Sequence, residues 1–200
     1  MIDPVPLAAP DSAWYFDAVA AARATPWLNE PAMLLTRYGL VAFGIAVAVV
    51  LVRARSASDQ RVADIVWVPL AAAVAGALGW LIKLMVGEPR PCLALPPGAT
   101  LWACDASGSF PSNHAAITAA AAVSMLGVNR SWGWVAVGFA LLMAGSRVYI
   151  GAHYPHDVLA GLVLGGLVAA AGPLVRRPLV AVVHRVRGSA QIAAHMGEER

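Results

Sequence analysis

Ser146-Arg147-Val148-Tyr149-Ile150-Gly151-Ala152-His153-Tyr154-Pro155-His156-Asp157 joins two apolar runs, residues 133–150 and 155–175. Each run has about the length a helix needs to cross a bilayer. Arginine, histidine and aspartate at a membrane edge are costly, so ionisable groups placed there mark function. Of the chain's 200 residues 60% are hydrophobic and only 12% charged. A soluble domain carries about 25% charged residues. The fold class is therefore all-α, a polytopic transmembrane helical bundle. No Gly-rich nucleotide loop, zinc-type cysteine pattern or nucleic-acid motif is present, so no nucleic acid partner and no cofactor is expected.

Residues 12–25 read as a short helix, with Trp14, Phe16, Val19 and Ala20 on one face. It is too short to span and its aromatic residues suit an interface. Spans follow at 32–52, 63–86, 112–128, 133–150 and 155–175. The reading is five spans plus an N-terminal interfacial helix, or six if the first helix also crosses. Three regions result: an N-terminal segment with the interfacial helix (1–31), a transmembrane catalytic bundle (32–177) and a basic cytoplasmic tail (178–200). The tail either lies on an anionic leaflet or is solvated, and the solvated reading is preferred. The small-residue run Gly161 to Gly166 suits close helix packing, within one chain or between two. The stretch before residue 12 has no basic start and no small-residue cleavage site, so no removable signal peptide is expected.

Five spans put Arg53, Arg55, Arg61, Arg130, Arg176, Arg177, Arg185, Arg187 and Arg200 on one side. The positive-inside rule makes that side cytoplasmic. The opposite side then holds Lys83, Arg90, His114, Arg147, His153 and Asp157. The expected location is the plasma membrane, multi-pass, with the site on the outer face and the C-terminus inside. Cys92 and Cys104 share the outer loop, where a disulfide or two thiols both fit.

The chemistry follows from residue types. Ser112 after Pro111 stands at a helix start, where backbone N–H groups and the helix dipole favour an anion. Lys83, Arg90 and Arg147 add permanent cations, and arginine forks match phosphate oxygens. His153 and Asp157 are four apart, one helical turn. The carboxylate can hold one imidazole nitrogen and free the other as nucleophile. His114, from another helix, can act as acid to the leaving oxygen. His156 lacks a matching partner in the sequence and stays outside this set. A metal held by His114, His153 and Asp157 is the chemical rival. A divalent ion about 6 Å from each cation, at an effective dielectric near 20, is repelled by about 5 kcal/mol per cation. Metal-independent catalysis is expected.

Lys83-x6-Arg90-Pro91, Pro111-Ser112-Asn113-His114 and Ser146-Arg147-x5-His153-x3-Asp157 resemble the three-part signature of the type-2 phosphatidic acid phosphatases, shared with the vanadium haloperoxidases. The resemblance covers roughly residues 60–175. It implies a helical bundle, a phosphohistidine on His153, His114 as acid and Asp157 as the residue that orients His153. It implies phosphoryl binding by Lys83, Arg90, Ser112, Asn113 and Arg147. Asn113 stands where glycine is usual, which is similar to the undecaprenyl diphosphatase branch, and its side chain is expected to reach the substrate. The function implied is hydrolysis of a polyprenyl diphosphate to monophosphate and inorganic phosphate. Phosphatidic acid or phosphatidylglycerol phosphate is the alternative substrate. The haloperoxidase relatives are soluble, which this composition is not. A transporter would place ionisable groups at mid-bilayer, where this chain is nearly pure Ala, Val, Leu and Gly. A non-catalytic lipid-binding scaffold would lack the nucleophile, whereas His153 and Asp157 are both present.

Overall fold

The computed structural model describes residues 9–53, 56–94, 100–101 and 107–198. Its helices are α1 (Ala9–Ala24), α2 (Asn29–Arg53), α3 (Asp59–Val86), α4 (Pro91–Ala94), α5 (Asn113–Val128), α6 (Arg130–Tyr149), α7 (Pro155–Ala170) and α8 (Gly172–Glu198). A 3₁₀ turn, Pro26–Leu28, joins α1 to α2. No strand occurs among the described residues.

Local chemistry sets the helix ends. Ser58 Oγ accepts from the Arg61 N–H (3.4 Å) at the start of α3, and Gly87 closes that helix with φ +65°. Asn129 Oδ1 caps α6 through the Trp132 N–H at 3.1 Å. One residue, Asn129, separates α5 from α6. Pro155 stands at the first position of α7, where its fixed φ suits a helix and its missing N–H costs nothing.

Helix α5 is the centre, packed by α3, α6 and α7. It is built of small residues, and Ala115, Ala116, Ala119, Ala120, Ala121 and Ala122 are all buried. On α7, Gly161 and Gly165 face it. A Cβ on Gly161 would lie 2.5 Å from the Ser112 carbonyl oxygen, and one on Gly165 would lie 2.8 Å from the Ala120 nitrogen. The small-residue run thus packs within the chain. The outer surface is the apolar one: Trp80, Leu84, Leu141, Leu142, Val163 and Leu167 are exposed. A small-residue interior with a Leu, Val and Trp exterior is the pattern of helices packed in lipid, where close backbone approach drives association.

Two helices are long and apolar enough to cross a membrane, within Pro26–Val50 and Asp59–Leu93. Helices α7 and α8 qualify together but bend by 51° between them, and α5 is a shorter apolar helix. The structure thus carries two such spans, or three with the bent pair counted as one.

Two expectations change. Helix α1 buries Tyr15, Val19 and Ala22, while Trp14 and Phe16 point outward. The inward face is set by packing on Tyr154, whose ring centroid lies 5.6 Å from that of Tyr15. The tail begun at 178 lies inside α8, which is one helix as far as Glu198. Arg176 forks onto Asp64 of α3 at 2.8 and 3.0 Å. Arg187 donates to Asp59 at 2.6 Å and His184 pairs with the same carboxylate at 2.8 Å. The carboxylates at the start of α3 thus hold the basic helix, which is not simply solvated. Cys92 is disulfide-bonded, and Cys104, the chain's other cysteine, lies outside the described residues.

Candidate active site

The loop from α6 to α7 is held from both ends. The Ala152 and His153 N–H groups donate to the Arg147 carbonyl at 3.0 and 3.2 Å. Gly151 takes the left-handed turn at φ +78° that this reversal needs. Asp157, in the first turn of α7, reaches back to the Tyr154 N–H at 2.9 Å. The same oxygen, Oδ2, accepts from His153 Nδ1 at 3.2 Å and from the Ser109 hydroxyl. His153 is 1% exposed and Asp157 fully buried. Nδ1 therefore carries the proton, and the lone pair is on Nε2.

Nε2 meets the first motif. Arg90 NH1 lies 3.4 Å from it and donates to the Ala152 carbonyl at 3.2 Å. The other edge of Arg90 is fixed by Ser107, with Nε on its carbonyl at 3.2 Å and NH2 on its hydroxyl at 2.8 Å. Lys83 clamps the Gly108 and Ser109 carbonyls at 2.7 and 3.0 Å. Sequence reasoning gave Lys83 to phosphate; here its ammonium also shapes the loop that carries Ser109.

The second motif joins the third through its backbone, since the Ser112 N–H donates to the Asp157 carbonyl at 3.0 Å. Ser112 stands at the N-cap of α5, but its hydroxyl makes no cap bond. The hydroxyl is buried and makes no hydrogen bond at all. Buried polar groups of this kind are rare without a ligand or water. The Asn113 side chain lies across Gly79 of α3, its Oδ1 in the space a Cβ at residue 79 would fill. It packs against α3, which is why asparagine fits where the resemblance expects glycine. Its Oδ1 is buried there and has no hydrogen-bond partner among the described residues.

His114 lies near Arg147, Arg90 and His153 and has a hydrogen bond to the Thr36 backbone. Arg147 is 2% exposed. All eight residues singled out in the sequence thus lie at one end of the bundle. Burial, opposed by the Asp157 hydrogen bond and reinforced by the Arg147 charge, pushes the His153 imidazole down to about 4. At neutral pH the imidazole is uncharged. An uncharged imidazole, held at Nδ1 and ringed by fixed cations, is equipped to attack an anionic phosphorus centre.

The same three motifs fall inside one known family pattern, the PAP2 superfamily, which matches residues 64–180. The chain belongs to the PAP2 superfamily. It is 35% identical over 141 residues to undecaprenyl-diphosphatase BcrC of Bacillus subtilis, covering 68% of this chain and 69% of that one. It is 35% identical over 157 residues to decaprenylphosphoryl-5-phosphoribose phosphatase of Mycobacterium tuberculosis H37Rv, covering 76% and 86%. Among solved structures it is similar to LpxE of Aquifex aeolicus, with a TM-score of 0.60, 19% identity and 86% and 98% coverage. A phosphatidylglycerolphosphate phosphatase of Bacillus subtilis gives a TM-score of 0.57, 22% identity and 86% and 95% coverage. These two likenesses concern the fold. The chain is a membrane-embedded lipid phosphatase of this superfamily.

This PAP2 site also uses residues that sequence reasoning missed. Ser109 touches both members of the His153–Asp157 pair, at 3.4 Å from His153 Nδ1. A serine in a Gly- and Pro-rich loop carries no sequence signal of that role. Thr36 of α2 is buried and bonds Ser146 at 3.1 Å, so the first long helix is tied to the site. Tyr149 bonds Asn29 at 2.9 Å and the Thr25 carbonyl at 3.0 Å, which fastens the N-terminal segment to the end of α6. His156 has partners after all, Glu88 at 3.0 Å and Asp157 at 3.3 Å. Among the described residues Glu88, His156 and Asp157 bring their donor atoms within 4.8 Å of one another.

Proposed function

We propose that this PAP2 phosphatase hydrolyses a polyprenyl diphosphate to the monophosphate and inorganic phosphate. His153 Nε2 attacks the terminal phosphorus, and the bond to the bridging oxygen breaks. His114 gives its proton to that oxygen as the lipid monophosphate leaves. Water then attacks the phosphohistidine, His114 takes a proton from it, and the P–N bond breaks to release phosphate. Asp157 keeps the Nδ1 proton in place throughout. Lys83, Arg90, Arg147, the Ser112 hydroxyl and the N–H groups at the start of α5, Asn113 included, hold the phosphoryl oxygens. The observation that carries the reading is His153 itself, with Nδ1 held by Asp157 at 3.2 Å and Nε2 turned to Arg90 at 3.4 Å.

The membrane arrangement belongs to the same proposal. Five spans and an interfacial α1 put the N-terminus and the site outside and the C-terminus in the cytoplasm, as the arginine distribution favours. Labelling of single introduced cysteines at residues 87 and 130 from either side of intact cells checks it, with 87 reactive from outside.

The substrate is chosen partly on relatives. The undecaprenyl diphosphatase acts, by its name, on a polyprenyl diphosphate. The mycobacterial relative acts on a phosphoribose carried by decaprenyl phosphate, and the alignment covers more of that chain. The test is phosphate release by detergent-solubilised protein, in EDTA, from three lipids in parallel. They are a polyprenyl diphosphate, decaprenylphosphoryl-5-phosphoribose and phosphatidic acid, each with His153→Ala as control. Release from the diphosphate, absent in the control, is the expected result. Preference for the phosphoribose lipid or for phosphatidic acid overturns the substrate; activity in His153→Ala overturns the nucleophile.

A further inference from the structure

His156 stands beside the reacting groups without being one of them, and it is held unusually well. Its ring stacks on Tyr154 at 5.4 Å and 9°, and on Phe110 at 5.9 Å and 29°. Nε2 lies 3.0 and 3.3 Å from the two Glu88 oxygens, and 3.3 Å from Asp157 Oδ1. All three neighbours are carboxylate oxygens, so Nε2 carries a proton whatever the charge of the ring.

The two oxygens of Asp157 are treated differently. Oδ2 takes His153, Ser109 and the Tyr154 N–H. Oδ1 is buried and makes no hydrogen bond of good geometry. A buried carboxylate oxygen without a donor is costly and rare. His156 Nε2 lies 3.3 Å from it, with its N–H turned toward Glu88 at 3.0 Å.

We propose that Glu88 and His156 are positioning residues that tune the Asp157 carboxylate from its far side. His156 presents an N–H to Oδ1, and Glu88 sets how far that N–H is withdrawn. This rests on the His153–Asp157 assignment above. The groups that face the pair come from several elements: the Tyr154 ring stacks on His156, and Lys83 of α3 holds the Ser109 carbonyl beside Glu88. Glu88 comes from the loop after α3, Asp157 from α7, and Ser109 from the loop before α5. Arg90 and Arg147 act from the His153 side, and His114 from α5. The signs follow from charge. Without the His156 donor the Asp157 charge bears more fully on His153, which takes up a proton more readily, so the acid limb of the rate profile moves to higher pH. Without the Glu88 charge the limb moves to lower pH. A role in folding alone gives no such opposition.

The experiment uses the full chain in detergent with a polyprenyl diphosphate in EDTA, comparing His156→Phe, His156→Gln and Glu88→Gln. Phenylalanine keeps the ring stack and loses the donor; glutamine returns an N–H. The expected result for His156→Phe is a loss in kcat of about tenfold with KM within twofold, and an acid limb at higher pH. His156→Gln recovers most of that loss, and Glu88→Gln moves the limb the other way. A wild-type kcat and profile in His156→Phe overturns the proposal, as does a change confined to KM. Limbs moving together in His156→Phe and Glu88→Gln overturn it too. Wild-type activity lost in EDTA and restored by Zn²⁺ makes the cluster a metal site and equally overturns it. Asp157→Asn and His153→Ala separate the two readings. If both are inactive while His156→Phe is normal, only this inference falls; if both remain active, the catalytic assignment falls.

Discussion

Ser109→Ala removes one hydroxyl and little else. The Ser109 backbone is held from outside the side chain, by Lys83 on its carbonyl at 3.0 Å and by its own N–H on Glu88 at 2.7 Å. What is lost is a donor to a buried carboxylate that keeps two others, the Tyr154 N–H at 2.9 Å and His153 Nδ1 at 3.2 Å. Hydrogen bonds to charged groups contribute about 1.5–3 kcal/mol. With about 1.4 kcal/mol per tenfold in rate, full expression in the barrier is a loss of about 10- to 100-fold in kcat. The loss belongs in kcat because Ser109 touches His153 and Asp157, which in the proposed mechanism serve the chemical step and not lipid binding. The assay is phosphate release across a range of lipid concentration, with Ser109→Cys as a weaker donor expected in between. A kcat within twofold of wild type, or a rise in KM at unchanged kcat, refutes the reasoning.

The remaining predictions concern pH, packing and charge. His153 is neutral above about 4, so the rate holds on the acid side to about pH 5 and falls as pH drops through that pKa. An acid limb centred near 6.5 in the rate profile contradicts a buried, cation-flanked nucleophile. Gly165→Leu forces α7 off α5, at about 1–3 kcal/mol for overpacking. Thermal unfolding in detergent drops by several degrees, since each kcal/mol is about 2–4 °C at this size. Gly44→Leu, with no atom near its Cβ position, leaves it unchanged. Asp64→Asn breaks the fork from Arg176, whose side chain is 51% exposed. Its stability stays within about 1 kcal/mol of wild type, the range of exposed pairs, and thermal unfolding in detergent checks it.

The site was legible in the sequence because charge is rare in this chain. Lys83, Arg90, Arg147 and Asp157 stand out against Ala, Val and Leu, and their spacing is read without knowing any contact. Ser109 and Thr36 could not stand out. Serine and threonine are ordinary in loops and helices, and their roles exist only once α5, α6 and α2 meet. Glu88 and His156 are 68 residues apart, and only the fold brings them to 3.0 Å. Helix α8 was hidden for a related reason. Its inward residues, Val175, Leu179 and Val183, are interleaved with arginines whose partners Asp59 and Asp64 lie on α3. Without that partner face the stretch reads as a charged tail. The seat of Asn113 was hidden too: only the approach of α3 to α5 shows that Gly79 leaves room for its side chain.

The seam between α5 and α7 bears on rate as well as on stability. His114 is the second residue of α5, and Asp157 is the third of α7. Gly161 and Gly165 therefore set the separation of the proposed acid from the carboxylate that holds the proposed nucleophile, as the jaw of a caliper does. A substitution that widens the seam by an ångström spreads the reacting groups by a similar amount. A chain made sturdier by filling that seam becomes a slower enzyme, so the two properties cannot be improved independently there.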